Sequence, residues 1–141
     1  MIKEHIYYRD GYKYQLVASY DVKTSIHPGK DVDTDYITLD INGNLTIKKG
    51  YAWDGPSGPT IDTPSFMRGS LVHDALYQLI REELVDYSWR KEADKELVRL
   101  CKEDGMSALR AWWIYQGVRL GGGNSAIAEM EPPIKRAPKL D

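Results

Sequence analysis

The first half of the chain alternates apolar and polar residues and predicts β structure. Residues 12–20 are rich in strand-forming types and are bounded by turn residues on both sides. Residues 36–41 and 45–47 flank Asn42-Gly43-Asn44, and because Asn-Gly tolerates positive φ, this segment predicts a hairpin. The intervening stretch 22–35 holds a proline, a glycine and three aspartates and predicts a loop.

In the second half, apolar residues recur every three or four positions, which is the spacing of one buried helix face. This spacing predicts a first helix from residue 66 to about residue 81. A second helix is expected to be capped by Ser88 and to end at Asp104-Gly105, and a third to cover residues 107–120. In the third helix we expect one ring of the Trp112-Trp113 pair in the core and the other at the surface.

Strands followed by helices are typical of the α+β class. We therefore expect N-terminal antiparallel strands with a hairpin, followed by about three packed helices. At 141 residues the chain is long enough for a core without disulfide staples, and residues 1–121 are expected to form a single domain. Residues 122–141 are rich in glycine, proline and charge and predict a flexible tail.

Charge and cysteine content exclude several functional classes. With 19 basic and 21 acidic residues the net charge is −2, so there is no global attraction to nucleic acid or to an anionic membrane, and we expect no nucleic-acid partner. No apolar run approaches the roughly 20 residues that span a bilayer, so no membrane span is expected. Cys101 is the only cysteine, which excludes an internal disulfide and a cysteine-based zinc site and suits a reducing compartment.

The best candidate for chemistry is His73, which adjoins Asp74 inside the first predicted helix. A titratable imidazole beside a carboxylate suits acid–base or metal chemistry. Tyr77 follows His73 by one helical turn, so the two rings share a side of the helix. The structural alternative is a boundary histidine that packs on this tyrosine and is satisfied by a carbonyl group or water.

Asp94 is the expected partner of His73. It lies in the apolar stripe of the second predicted helix, where an unpaired carboxylate would cost several kcal/mol. A carboxylate that orients an imidazole makes it a better general base. If the first helix ends near Arg81, the axial mismatch between the two residues is about 3 Å and side chains can bridge it, but if it continues to Val85 the mismatch is about 9 Å and a direct pair is not expected.

A Gly/Pro-rich segment precedes the first helix and is the second candidate site. Residues 54–59 cannot form regular structure and would present backbone carbonyls and amides. With Asp54, Asp62 and Asp74 nearby, the segment could hold a hard divalent cation such as calcium, with Trp53, Gly55 and Ser57 as further ligand-binding positions. The alternative is a tight strand-to-helix connection with Trp53 filling the core.

Four short segments together form a pattern. They are Trp53-Asp54-Gly55-x-Ser57-x-Pro59, His73-Asp74-x-x-Tyr77, Ala93-Asp94 and Tyr115-x-Gly117-Val118. The combination resembles the domain of unknown function 1353 family, found largely in bacteriophages and prophages, over residues 37–122. The resemblance implies a viral or prophage origin, and hence a location in the host bacterial cytoplasm or the virion, but no established activity.

A second, looser similarity concerns mechanism. In phospholipase A2 enzymes a glycine-rich calcium loop precedes a helix that carries His-Asp and then Tyr, and a later helix supplies an aspartate. The resemblance implies that residues 55–59 are the loop, His73 the base, Asp74 the calcium ligand and Asp94 the orienting carboxylate. The disulfides of the secreted enzymes are absent, and the β-rich first half has no counterpart in them.

Two functional hypotheses follow. In the first, the protein is a hydrolase of ester or lipid type in which His73, Asp94 and Tyr77 are catalytic and a cation at Asp74 and Asp54 assists. In the second, it is a non-enzymatic phage module in which the same residues are structural. Its ten tyrosines and four tryptophans, against one phenylalanine, would then serve binding to a virion component, host protein or small ligand.

Overall fold

The computed structural model describes residues 5–9, 14–53 and 64–121. Within these ranges, antiparallel strands in two sheets precede three helices, so the predicted α+β class is confirmed. The strands are β1 (Tyr8–Arg9), β2 (Tyr14–Leu16), β3 (Tyr20–Lys23), β4 (Val32–Asp33), β5 (Ile37–Leu39), β6 (Asn44–Ile47) and β7 (Ala52–Trp53). The helices are α1 (Pro64–Arg81), α2 (Arg90–Glu103) and α3 (Ala108–Gly121), with a 3₁₀ turn over Tyr87–Trp89 before α2.

The larger sheet has the strand order β3-β6-β5-β4, with every pair antiparallel. Its centre is the predicted hairpin, in which β5 and β6 flank a turn that ends at Asn44. Gly43 adopts a φ of +90°, and a Cβ there would collide with the carbonyl oxygen of Thr24, so glycine is required. Asp40 Oδ1 accepts from the backbone amides of both Asn42 and Asn44 and fixes the turn.

The smaller sheet, of order β1-β2-β7, corrects the prediction of one continuous strand over residues 12–20. The chain bends after Leu16, so β2 pairs with β1 and β7, whereas β3 pairs with β6 of the other sheet. The predicted loop over 22–35 likewise contains the end of β3 and the short strand β4, where buried Val32 pairs with Leu39.

The helix boundaries lie close to the predicted ones. α1 ends at Arg81, and the chain leaves it through Glu83, whose φ is +63°. Ser88 does not cap α2 as predicted: Asp86 caps the preceding 3₁₀ turn, where its Oδ2 accepts from the Ser88 amide at 2.9 Å. α2 itself begins after Trp89, whose side chain makes no capping hydrogen bond. The Ser107 hydroxyl accepts from the Arg110 amide at 3.2 Å in the first turn of α3.

The main core lies between the sheets and α1, and a second cluster joins α1, α2 and α3. α3 contributes one fully buried residue, Ala111, to that second cluster. The expectation for the tryptophan pair on α3 is wrong, because Trp112 and Trp113 are both more than half exposed. None of the helices in the described ranges has the length and apolar content needed to cross a bilayer.

Candidate functional site

Asp94 lies at the centre of a hydrogen-bond network that joins all three helices. Its side chain has no solvent exposure. Oδ1 accepts from Nε2 of His73 at 2.7 Å and from the hydroxyl of Tyr77 at 2.6 Å, both on α1. Oδ2 accepts from Nη1 of Arg119 on α3 at 2.8 Å. The carboxylate that the sequence placed in an apolar stripe is therefore fully paired.

The order of contacts along α1 and α2 explains how His73 reaches Asp94. Arg68, near the start of α1, donates to Asp104 just beyond the end of α2, whereas Tyr77 meets Arg90 at the start of α2. The two helices are therefore antiparallel. Since α1 ends at Arg81, the case with the small axial mismatch applies, and the predicted pair forms.

Asp94 is ionised at neutral pH. Burial alone would raise the pKa of this carboxyl group, but hydrogen bonds from His73, Tyr77 and Arg119 outweigh burial and bring the pKa below its ordinary value. An ionised carboxylate only accepts hydrogen bonds, so Nε2 of His73 carries the proton in that bond. In the neutral imidazole the lone pair then lies on Nδ1, which points away from Asp94.

Tyr77 is held as a hydrogen-bond donor. Burial and the neighbouring Asp94 raise the pKa of its hydroxyl well above the ordinary value, although the bond from Arg90 acts in the opposite direction. The ring lies against that of His73, with centroids 4.1 Å apart. Tyr77 thus fixes both the carboxylate that orients His73 and one face of the imidazole.

Two arginines complete the network, and sequence reasoning missed both. Arg90 donates through Nε to the Tyr77 hydroxyl at 3.0 Å and through Nη2 to the carbonyls of Val118 and Arg119 at 2.8 and 3.0 Å. A signal was available, because Arg90 precedes Asp94 by one helical turn and so shares its face. For Arg119 the signal was weaker: a buried carboxylate needs a compensating cation, but nothing in the sequence selects this one.

On the opposite side of the imidazole, Nδ1 lies 4.0 Å from Oδ1 of Asp74, whose side chain is about one-third exposed. Within the described ranges no group of three His, Cys, Asp or Glu side chains could hold a metal ion. Calcium takes roughly six to eight oxygen ligands, so the single carboxylate of Asp74 does not make a calcium site by itself. The predicted ligands Asp54, Gly55 and Ser57 lie outside the described residues.

The remaining candidate side chains lie apart from the network. Trp53 is buried, and its indole Nε1 donates to the Ser70 hydroxyl at 3.1 Å, which fits the alternative of a core-filling residue. Cys101 is buried, and burial raises the pKa of its thiol to about 12, so it is no nucleophile in the folded protein. His5 and His27 are exposed.

Comparison with known proteins places this network in a family context. One family model, described as "Protein of unknown function (DUF1353)", matches residues 31–118. This matched range begins and ends a few residues before the range 37–122 over which the sequence resembles the family. No curated protein and no solved structure matches the chain. The matched range contains β4 to β7, α1, α2 and the residues of the network other than Arg119, and covers well over half of the sequence; the chain belongs to the DUF1353 family.

Proposed function

We propose that this protein is a hydrolase of carboxylic esters, of the lipid type, in which His73 is the general base. The observation that carries the proposal is the state of the His73–Asp94 pair. An ionised, fully buried carboxylate accepts from Nε2–H at 2.7 Å, so that in the neutral imidazole the basic lone pair lies on Nδ1. The order of a Gly/Pro-rich segment, His-Asp, Tyr and a later Asp, similar to that of phospholipase A2 enzymes, supports the choice of an ester substrate.

In the proposed reaction His73 acts through Nδ1. Nδ1 of His73 takes a proton from a water molecule as the water oxygen bonds to the ester carbonyl carbon, and the carbonyl electron pair moves onto oxygen. Asp94 stabilises the imidazolium that forms. As the carbonyl group re-forms, the bond to the leaving alcohol oxygen breaks, and that oxygen takes the proton from Nδ1. One water molecule is consumed, and one acid and one alcohol are released.

The other residues of the network position the base. Tyr77 and Arg119 hold the two oxygens of Asp94, and Arg90 holds the Tyr77 hydroxyl, so the carboxylate cannot rotate away from Nε2. A divalent cation would supply charge stabilisation for the carbonyl oxygen during attack. Of the described residues only the Asp74 carboxylate is at hand for it, so no step above depends on a cation.

The experiment is a hydrolysis screen of wild-type protein against phospholipid, short-chain acyl and phosphate esters, with and without added calcium. His73→Gln is the test variant, because a glutamine amide can still donate to Asp94 but has no basic nitrogen. The control is His27→Gln, which changes an exposed histidine outside the network. We expect the control to retain the activity and His73→Gln to lose at least about a hundredfold. A wild-type protein inert toward all three ester classes would exclude the proposal.

A specific observation favours a second candidate, a non-enzymatic module. The same side chains tie α1, α2 and α3 together, and the imidazole of His73 is nearly buried and lies on Tyr77. In this candidate the network is structural, and binding to a virion component or host protein uses other surfaces. His73→Gln would then lower the melting temperature while no turnover existed to be lost.

The setting we propose is a bacteriophage or prophage, with the protein in the host bacterial cytoplasm or the virion. The sequence resemblance to a family found largely in such genomes supports this setting. Mass spectrometry of purified virions, beside the lysate of infected cells, would decide between the two locations. Absence of the protein from both samples would contradict the proposal.

A further inference from the structure

α3 has an apolar face that is directed into solvent. Leu109, Trp112, Trp113 and Leu120 are 68, 51, 64 and 88% exposed, respectively. At about 100° per residue these positions fall on one side of the helix, together with Gln116, and we call them the outer α3 face. Ala111, Ile114 and Val118 face the other way and join the cluster with α2. α3 is thus apolar on the side where a surface helix is ordinarily polar.

We propose that the outer α3 face docks on the surface of a lipid bilayer that contains anionic lipids. Trp112 and Trp113 contact each other edge to face, with ring centroids 5.0 Å apart, so the indoles form one cluster rather than two separate exposed rings. Tryptophan combines a large apolar body with a polar N–H, which suits the boundary between headgroups and acyl chains. Leucines at both ends extend the same apolar strip.

Charge on α3 favours a lipid surface of negative sign. The helix has two arginines, at positions 110 and 119, and no aspartate or glutamate. Arg119 is paired with Asp94, and Arg110 lies beside the outer α3 face, about 60° around the helix from Trp113. An anionic headgroup therefore meets no carboxylate on this helix, although the chain as a whole has a net charge of −2. Arginine beside exposed tryptophan and leucine is typical of helices that lie in a membrane interface.

The size of the face argues against a second copy of the chain as its occupant. Fourteen helical residues span about 21 Å, and with a width of about 10 Å the footprint is roughly 200 Å². A stable protein–protein interface buries roughly 800 Å² on each partner, which is several times larger. A helix at a bilayer surface needs only one apolar face at a depth of about 5–10 Å.

Docking on a bilayer extends the proposed function, because it makes lipid in a bilayer the substrate of the hydrolase. For the identity of the substrate, this inference rests on the proposed function. Binding itself involves no turnover, so the two can fail separately. His73→Gln protein is expected to bind vesicles like wild type while its hydrolysis is lost. Vesicle binding without any hydrolysis would support the docking face and contradict the hydrolase proposal. Hydrolysis of soluble esters without vesicle binding would support the hydrolase proposal and contradict the docking face.

The test is co-sedimentation of the full chain with vesicles of equal parts phosphatidylcholine and phosphatidylglycerol, with tryptophan emission recorded in parallel. We expect wild type to sediment with the vesicles and its emission to shift to the blue. Trp112→Ser/Trp113→Ser should bind at least about tenfold more weakly. The matched control, Tyr36→Ser/Tyr87→Ser, removes two exposed rings from other parts of the fold and should bind like wild type.

Circular dichroism melting establishes that each variant is folded. If the tryptophan variant is not, Leu109→Ser/Leu120→Ser changes the ends of the same face and should also weaken binding. Wild-type protein that stays in the supernatant, or face variants that bind as well as wild type, would overturn the proposal. A dimer that is seen by light scattering and that the tryptophan variant abolishes would also overturn the proposal. The same holds if the indoles of Trp112 and Trp113 are shielded from acrylamide in the lipid-free protein, since either result shows that something else covers the outer α3 face.

Discussion

Arg119 on α3 and Asp94 on α2 form a salt bridge of 2.8 Å in which the carboxylate is fully buried and the arginine is about one-third exposed. The other carboxylate oxygen serves His73 and Tyr77 on α1. One buried charge therefore connects the position of α3 to the orientation of the imidazole. Replacing Asp94 is therefore expected to change both the free energy of unfolding and the orientation of the His73 imidazole.

The pH dependence of the free energy of unfolding should reflect the ionisation of the Asp94 carboxyl group. Its pKa in the folded protein lies below the ordinary value of 3.8, so the folded state favours the ionised form. The stabilisation is present above pH 3.8 and is lost as the pH falls through the lower, folded value. Urea unfolding at a series of pH values should therefore give a free energy of unfolding that falls in this acidic range.

The variant for this measurement is Asp94→Asn, and the control is Asp35→Asn, which changes an exposed carboxylate. At neutral pH we expect Asp94→Asn to lose about 3 kcal/mol, the lower end for a broken buried ion pair, because Arg119 retains some contact with water. Its acid dependence should also be shallower than that of wild type. If the free energy of unfolding falls with pH equally steeply in Asp94→Asn and in wild type, other carboxyl groups cause the acid sensitivity.

Arg90→Met should release the C-terminal part of α3. The arginine bridges the Tyr77 hydroxyl and the carbonyls of Val118 and Arg119. Losing these charged hydrogen bonds is expected to cost about 2 kcal/mol. Hydrogen exchange should become faster in α3 while the interior of α1 stays protected.

The control for Arg90→Met is Lys95→Met, also on α2. Lys95 pairs with Glu92 at 3.5 Å and its side chain is more than half exposed, so its loss should cost less than about 1 kcal/mol. Similar exchange rates in α3 for both variants would contradict the role given to Arg90.

Local sequence signals predicted much of this fold because the local physics is strong there. The Asn42-Gly43 turn depends on backbone conformation, and α1 depends on a sustained apolar period. The His73–Asp94 pair was predicted because a carboxylate in an apolar stripe must find a partner nearby. In each case the deciding interaction lies within one element or between consecutive elements.

The features that sequence reasoning missed depend on contacts far apart in the chain. The break between β2 and β3 is set by strands that come some thirty residues later, since β2 pairs with Ala52 and β3 with Ile47. Arg119 was missed for another reason: it meets Asp94 across 25 positions, little more than the 21 between His73 and Asp94, but nothing in the sequence selects this cation over the others. The exposure of both tryptophans follows from how little of α3 is covered by its neighbours, which no periodicity within α3 records.

Cys101 should be unreactive in the folded protein. Its side chain is buried between helices, and burial raises the pKa of the thiol to about 12, so almost no thiolate exists at neutral pH. We expect Ellman's reagent to label it only after denaturant is added. Cys101→Ala/Lys102→Cys moves the thiol to the exposed neighbouring position and should react at once. Rapid labelling of native wild type would show that α1 and α2 separate readily.

α1 and α2 pack tightly at Gly69, and Gly69→Ala tests this contact. A Cβ there would lie 2.9 Å from Sγ of Cys101 and 3.1 Å from the backbone oxygen of Leu97, and the oxygen cannot move without shifting α2. We expect a loss of about 1–3 kcal/mol in the free energy of unfolding. Gly117→Ala is the matched control, because a Cβ on this α3 glycine meets nothing within 4 Å. There alanine should stabilise by about 0.5–1 kcal/mol through its better helix propensity. Urea unfolding should therefore give changes of opposite sign for the two variants, and a Gly69→Ala protein as stable as wild type would mean that the two helices can move apart at no cost.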